Sequence, residues 1–97
     1  MTAYRFTSSA LAEVSKATLH YEKQEKGLGG DFLDEVDATL ARILANPHAW
    51  HPLSPRTRRC RTHRFPFGVI YQIRPDEILI VSVMDLRRDP TSWRESP

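Results

Sequence analysis

The side chains best suited to hold or transform an anion sit in two stretches. In "RRCRTHRF" (58–65), Arg59, Arg61 and His63 alternate with Cys60, Thr62 and Arg64. In "DLRRDPTSW" (85–93), Arg87 and Arg88 follow "EILIVSVM" (77–84), the most apolar run in the chain. Arginine offers a planar, forked set of donors that stays charged at neutral pH, so it suits phosphate or carboxylate as a clamp and not as a base. His63 alone among these groups has an ordinary pKa near neutrality. Cys60 is the only cysteine. An intrachain disulfide is therefore excluded, which fits a reducing compartment. Nothing adjacent suggests a lowered thiol pKa, so Cys60 is not expected to be a nucleophile. His20, His48 and His51 lack metal-ligand spacing and are expected at the surface, and neither metal nor cofactor is expected.

The net charge of +2 conceals an asymmetry. Residues 1–37 hold seven acids and four bases, residues 38–75 seven arginines and no acid, residues 76–97 five acids and three bases. The three lysines all fall in the acidic first third, so the basic middle is entirely arginine. A field of this sign attracts polyanions or an acidic protein partner.

These residues must be positioned by elements that the hydrophobic pattern outlines. "AYRF" (3–6) alternates as a short strand, and "TSS" (7–9) supplies helix N-caps. Leu11, Val14, Thr18 and Tyr21 recur at helical spacing. "KGLGG" (26–30) breaks that helix, and Asp31 is expected to cap a second one, with Asp34 and Glu35 in its first turn. Phe32, Val36, Leu40 and Ile43 form its buried stripe, helped by Leu33 and Leu44. Asn46 before Pro47 stops it. The proline-rich stretch 47–56 is expected to be a loop that packs Trp50 and Leu53 on the body.

Strands follow over 58–65, over 67–73 with Phe67, Val69, Tyr71 and Ile73 on one face, and over 77–84. "RPDE" (74–77) closes the last hairpin. The expected class is α+β in the order β-α-α-β-β-β, a helical hairpin packed on one face of a mainly antiparallel sheet. With 97 residues, 40% hydrophobic and 27% charged, the chain is expected to be one globular domain over 1–97. No run approaches the roughly 18 apolar residues of a membrane span. The N-terminus lacks the apolar core of a secretory signal, so a cytoplasmic location is expected.

Taken together, "YRF", "GLG-x-x-F" at 27–32, "FPF-x-x-x-Y" at 65–71 and "RRDP-x-x-W" at 87–93 resemble the RelE/ParE toxin superfamily of type II toxin–antitoxin systems, in that family's order and over nearly the whole chain. The resemblance implies a cognate antitoxin, a toxin–antitoxin hetero-oligomer, growth inhibition and plasmid stabilisation. ParE-like members inhibit DNA gyrase by binding. RelE-like members cleave mRNA on the ribosome with basic sheet residues and often a C-terminal Tyr or His. The paired strand lysines of RelE-like members fall at Arg59 and Arg61. Their next arginine falls at Gly68, the one after the last strand at Arg87 or Arg88, and the C-terminal tyrosine at Trp93, whose indole cannot exchange a proton. Metal-free RNA cleavage needs a base, charge neutralisation and an acid. The candidates for it are Arg59, Arg61, His63 and Arg87. Gly68 and Trp93 favour the ParE-like branch, with Arg59, Arg61, Arg64, Arg87, Arg88 and Trp93 as the candidate binding surface. A third possibility is a non-toxic binding member. In "DLRRDPTSW", Asp85 and Arg87 are expected to pair and tie off the strand, while Pro90 and Trp93 fix the turn.

Overall fold

The computed structural model describes residues 3–88. Pro90 and Trp93 lie outside the described residues. Strand β1 (Tyr4–Phe6) leads into α1 (Ser8–Gln24), followed by α2 (Leu28–Ala45), a 3-10 turn (Pro47–Ala49), β2 (His51–Pro52), β3 (Thr57–Arg61), β4 (Phe67–Ile73) and β5 (Ile78–Asp85). The sheet order is β1-β5-β4-β3-β2. Only β1 pairs in parallel, with Tyr4 opposite Ile78. The two helices pack on one face, which makes the expected α+β architecture.

Thr7 caps α1 by accepting the Ala10 N–H at 3.1 Å, and its own N–H bonds the Ile80 carbonyl at 2.9 Å. The cap therefore also fastens the helix to strand β5. The buried positions of α1 are Ala10, Ala17 and Tyr21, while Leu11 is 53% exposed. Of the expected stripe, Tyr21 is buried, Val14 packs on the core and Thr18 is half-buried, so the departure is Leu11, whose place on the inner face Ala10 takes. Small alanines on the inner face let the helix lie close to β5, and Leu11 turns outward.

The helical hairpin turns at Gly27, whose φ of +91° lies in the left-handed region that glycine occupies without steric penalty. The Glu22 carboxylate accepts the N–H groups of Gly27 and Gly29, each at 3.0 Å. These donors at the start of α2 would otherwise lack partners. Asp31 is accordingly not the cap. Helix α2 begins three residues earlier, and Asp31 sits in its first turn, where the macrodipole favours it. Phe32, Val36, Leu40 and Ile43 are buried as expected, whereas Leu33 is exposed.

Two sheet features depart from the expectation. His51 and Pro52 form a short edge strand on β3, opposite Arg59 and Arg58, inside the segment expected to be a loop. Proline is tolerated there because an edge strand needs no donor on its outer side. Strand β3 ends at Arg61, so residues 62–65 belong to the turn. Strand β4 spans 67–73 as expected. Between β4 and β5 the register passes from Ile70↔Ser82 to Tyr71↔Ile80, which leaves Val81 as a bulge. Beside the bulge, the Glu13 carboxylate accepts the Ser82 hydroxyl at 2.9 Å and the Val83 N–H at 3.1 Å.

Strand β5 is buried on both faces. Ile78, Ile80 and Val83 join Val69, Tyr71, Phe32 and Ile43 beneath the helices, while Leu79, Val81 and Met84 join Ile70, Leu53 and Leu86 on the other side. Trp50 packs on the first cluster, and its indole N–H bonds the Arg42 carbonyl at the end of α2. Among the described residues, no helix is long and apolar enough to cross a membrane.

Candidate binding surface

Strand alternation divides the arginines of β3. Cys60 points into the core, 1% exposed and opposite Val69. Burial pushes its thiol pKa up, which opposes formation of the thiolate nucleophile. Arg59 and Arg61 take the opposite, helix-free face, aligned with Ile70 and Gly68. The stem of Arg59 lies across Gly68. A Cβ at position 68 would stand 3.0–3.1 Å from the Leu86 side chain and from Cγ and Cδ of Arg59. Position 68 therefore gives room to its neighbours and offers no charge of its own. Gly68 also pairs with Met84, two residues before Leu86. The register thus brings Arg59 and Arg61 to the end of the sheet where the 85–88 turn begins.

In that turn, Arg87 and Asp85 pair as expected. Arg87 Nε donates to Oδ1 at 3.0 Å and Nη2 to Oδ2 at 2.7 Å, and the Arg87 backbone N–H adds a bond at 2.9 Å. These hydrogen bonds hold the Asp85 carboxyl below its ordinary range. The forked side of the Arg87 guanidinium is occupied. Arg88 is exposed, and its side chain has no ion pair among the described residues.

His63 does not share a strand face with Arg59 and Arg61, as the sequence pattern suggested. It sits in the β3–β4 turn, where the Glu35 carboxylate of α2 accepts the backbone N–H groups of both His63 and Arg64. Thr62 reinforces the turn by donating its hydroxyl to the Phe65 carbonyl at 2.7 Å. Phe65 adopts φ +72°, costly for an aromatic residue. Its ring is held 4.7 Å from Tyr21 and 5.4 Å from Phe32, centroid to centroid. Arg64 lies over that ring and bridges to Asp31 at 3.4 Å, with both side chains more than half exposed. Such an exposed pair is weak.

The seven arginines of 38–75 therefore do not act as one field. Arg42 donates to the Arg61 carbonyl at 2.9 Å and to Thr39, tying α2 to β3. Arg58 donates to the carbonyls of His48 and Trp50, at 3.0 and 2.8 Å. Arg59 and Arg61 remain on the sheet face, with Arg88 in the neighbouring turn.

A concavity of about 560 Å³ lies between α1 and the end of β5, with Lys16, Tyr21 and Arg88 among its lining residues. Lys16 was hidden in sequence by the acidic residues around it, and Tyr21 reads there as plain core. Their spacing around Ala17 was the available signal.

The chain matches the family described as "ParE toxin of type II toxin-antitoxin system, parDE" over residues 4–90. A solved structure titled "Chromosomal ParDE TA system from P. aeruginosa" resembles it with a TM-score of 0.67 and 21% sequence identity, covering 89% of this chain and 97% of that one. At that identity the match shows a shared fold. No curated protein matches the chain. The fold, the order of its elements and the family match over nearly the whole sequence place this chain in the ParE toxin family of type II toxin–antitoxin systems.

Proposed function

We propose that this ParE-family chain is a cytoplasmic toxin that inhibits DNA gyrase by binding, without chemistry or cofactor of its own, and that a cognate antitoxin neutralises it in a hetero-oligomer. The observation that carries the binding reading is the dispersal of the groups a nuclease would need. His63 is held in a turn by Glu35 while Arg59 and Arg61 occupy the sheet face, Arg87 is paired with Asp85, and position 68 has no side chain. Arg59, Arg61 and Arg88 then serve as a recognition surface, with Arg64 at its margin. The resemblance to a solved ParDE system supports an antitoxin partner. Purified gyrase should lose supercoiling activity or accumulate cleaved DNA with the protein, while mRNA on translating ribosomes stays intact. The opposite pattern would establish the second reading, a ribosome-dependent mRNA endonuclease. That reading is favoured only by the pair Arg59 and Arg61 on one sheet face.

A further inference from the structure

The groove between α1 and the end of β5 has an apolar floor of Ala17, Phe67 and Val83 and a charged rim. The charged and polar groups facing it divide into those with a partner and those without. Glu13 is engaged by Ser82 and Val83. Asp85 is engaged by Arg87, and His20 shares a 2.8 Å bond with Gln24. Lys16 and Arg88 have no ion pair among the described residues. Tyr21 is only 8% exposed, with its ring packed against Phe32, Phe65 and Phe67. Its hydroxyl makes no hydrogen bond among the described residues. Burial raises its pKa, so it stays a donor at neutral pH. The acids of the groove are spent, while a hydroxyl, an ammonium and a guanidinium are not. Tyr21 is not among the residues with a buried, unpartnered polar atom, so its hydroxyl reaches the groove, where it can donate to a ligand acceptor.

We infer that this groove is an oxyanion subsite in which Tyr21, Lys16 and Arg88 take a side-chain carboxylate of the antitoxin, while Ala17, Phe67 and Val83 receive an adjacent apolar side chain. The inference rests on the toxin–antitoxin reading and names the chemistry of that contact. A carboxylate fits better than a nucleic-acid backbone. Phosphate tracking needs a row of cations, and this groove offers two unpaired ones beside the carboxylates of Glu13 and Asp85. The apolar floor suits a peptide side chain.

The probe is the short protein encoded beside this chain's gene, purified and titrated calorimetrically against the full chain at two salt concentrations. Tyr21→Phe keeps the ring and removes the donor. Lys16→Gln and Arg88→Gln change exposed residues and leave the core intact. Each substitution is expected to weaken binding roughly ten-fold, as for hydrogen bonds to a charged group. The two charge substitutions should also flatten the salt dependence. Arg74→Gln, at the far hairpin, should bind as wild type does. Affinities within two-fold of wild type for all three variants would overturn the subsite and leave the toxin–antitoxin reading standing. Failure of the wild-type chain to bind would overturn both. Loss of binding to a single-stranded RNA or duplex DNA oligonucleotide in the same variants, with protein binding intact, would reassign the groove to nucleic acid and overturn the proposal.

Discussion

Gly29 faces the Thr18 carbonyl so closely that a Cβ at position 29 would stand 2.8 Å from that oxygen. The contact sets the distance between α1 and α2, because backbone meets backbone and no rotamer can relieve a clash. Gly30, one residue on, has nothing within 4 Å of its would-be Cβ. Adjacent glycines in one helix turn thus have opposite roles. Gly29→Ala is expected to destabilise by about 1–3 kcal/mol through overpacking. Gly30→Ala is expected to stabilise by about 0.5–1 kcal/mol through helix propensity. Denaturant melts of the pair check this, and a like-signed response would refute the assignment.

Leu40 lies in the buried stripe of α2 with Phe32, Val36 and Ile43. Leu40→Ala is expected to cost about 2–5 kcal/mol, the usual range for a large-to-small change in a packed core. A melting temperature within one or two degrees of wild type would show that α2 packs on another face.

Tyr71 is fully buried, and its hydroxyl donates to the Pro47 carbonyl. Burial is the main cause that raises its pKa to about 12. A raised folded-state pKa gives stability that is fully present below the unfolded value of about 10 and is lost as pH rises toward 12. Wild type should therefore lose stability between roughly pH 10 and 12. Tyr71→Phe should be less stable at neutral pH and flatter in that window. Thermal melts across alkaline pH read both effects.

Asp85 behaves with the opposite sign. Its folded pKa is lowered, first by the Arg87 side-chain hydrogen bonds. Its contribution is therefore present above the unfolded value of about 3.9 and is lost as pH falls through the lower folded value. Asp85→Asn should remove that acid-limb dependence in melts from pH 5 to 2. It should also free the Arg87 guanidinium and so change the charge presented beside Arg88.

Binding and catalysis separate at Arg61 and His63. If recognition rests on charge, Arg61→Lys should be mild and Arg61→Glu severe in the gyrase assay, with His63→Gln almost silent. A nuclease would lose roughly 10²–10⁴-fold of its cleavage rate with His63→Gln, the scale of a general acid–base step. Ribosome-dependent cuts that vanish in His63→Gln, with gyrase unaffected, would replace the proposed function.

The parts legible in sequence were those with a local cause. Strand β4, the α2 stripe and the Asp85 and Arg87 pairing each follow from neighbours a few residues apart. Three glutamates show why other features were not legible. Glu13, Glu22 and Glu35 read as charge in an acidic third, yet each accepts backbone N–H groups, from Val83, from Gly27 and Gly29, and from His63 and Arg64. For Glu13 and Glu35 the partner lies tens of residues away, and no periodicity encodes it. The same long-range bonds ended β3 early and moved His63 off its face. Strand β2 is not legible because Pro52, in a proline-rich stretch, argues against a strand everywhere except at an edge.

The pairing of β1 with β5 has a temporal consequence. Among the described strands β1 is made first and β5 last, yet they lie side by side, with β5 between β1 and β4. A nascent chain that stops short of Ile78 therefore has no seat for β1, and both buried layers lack the side chains that β5 supplies. Closure of such distant contacts is the slow step in folding. The folded surface comes into being only once β5 has been made. Until then the unfinished chain has neither the sheet face of Arg59 and Arg61 nor the groove beside α1, and no partial product can present one without the other.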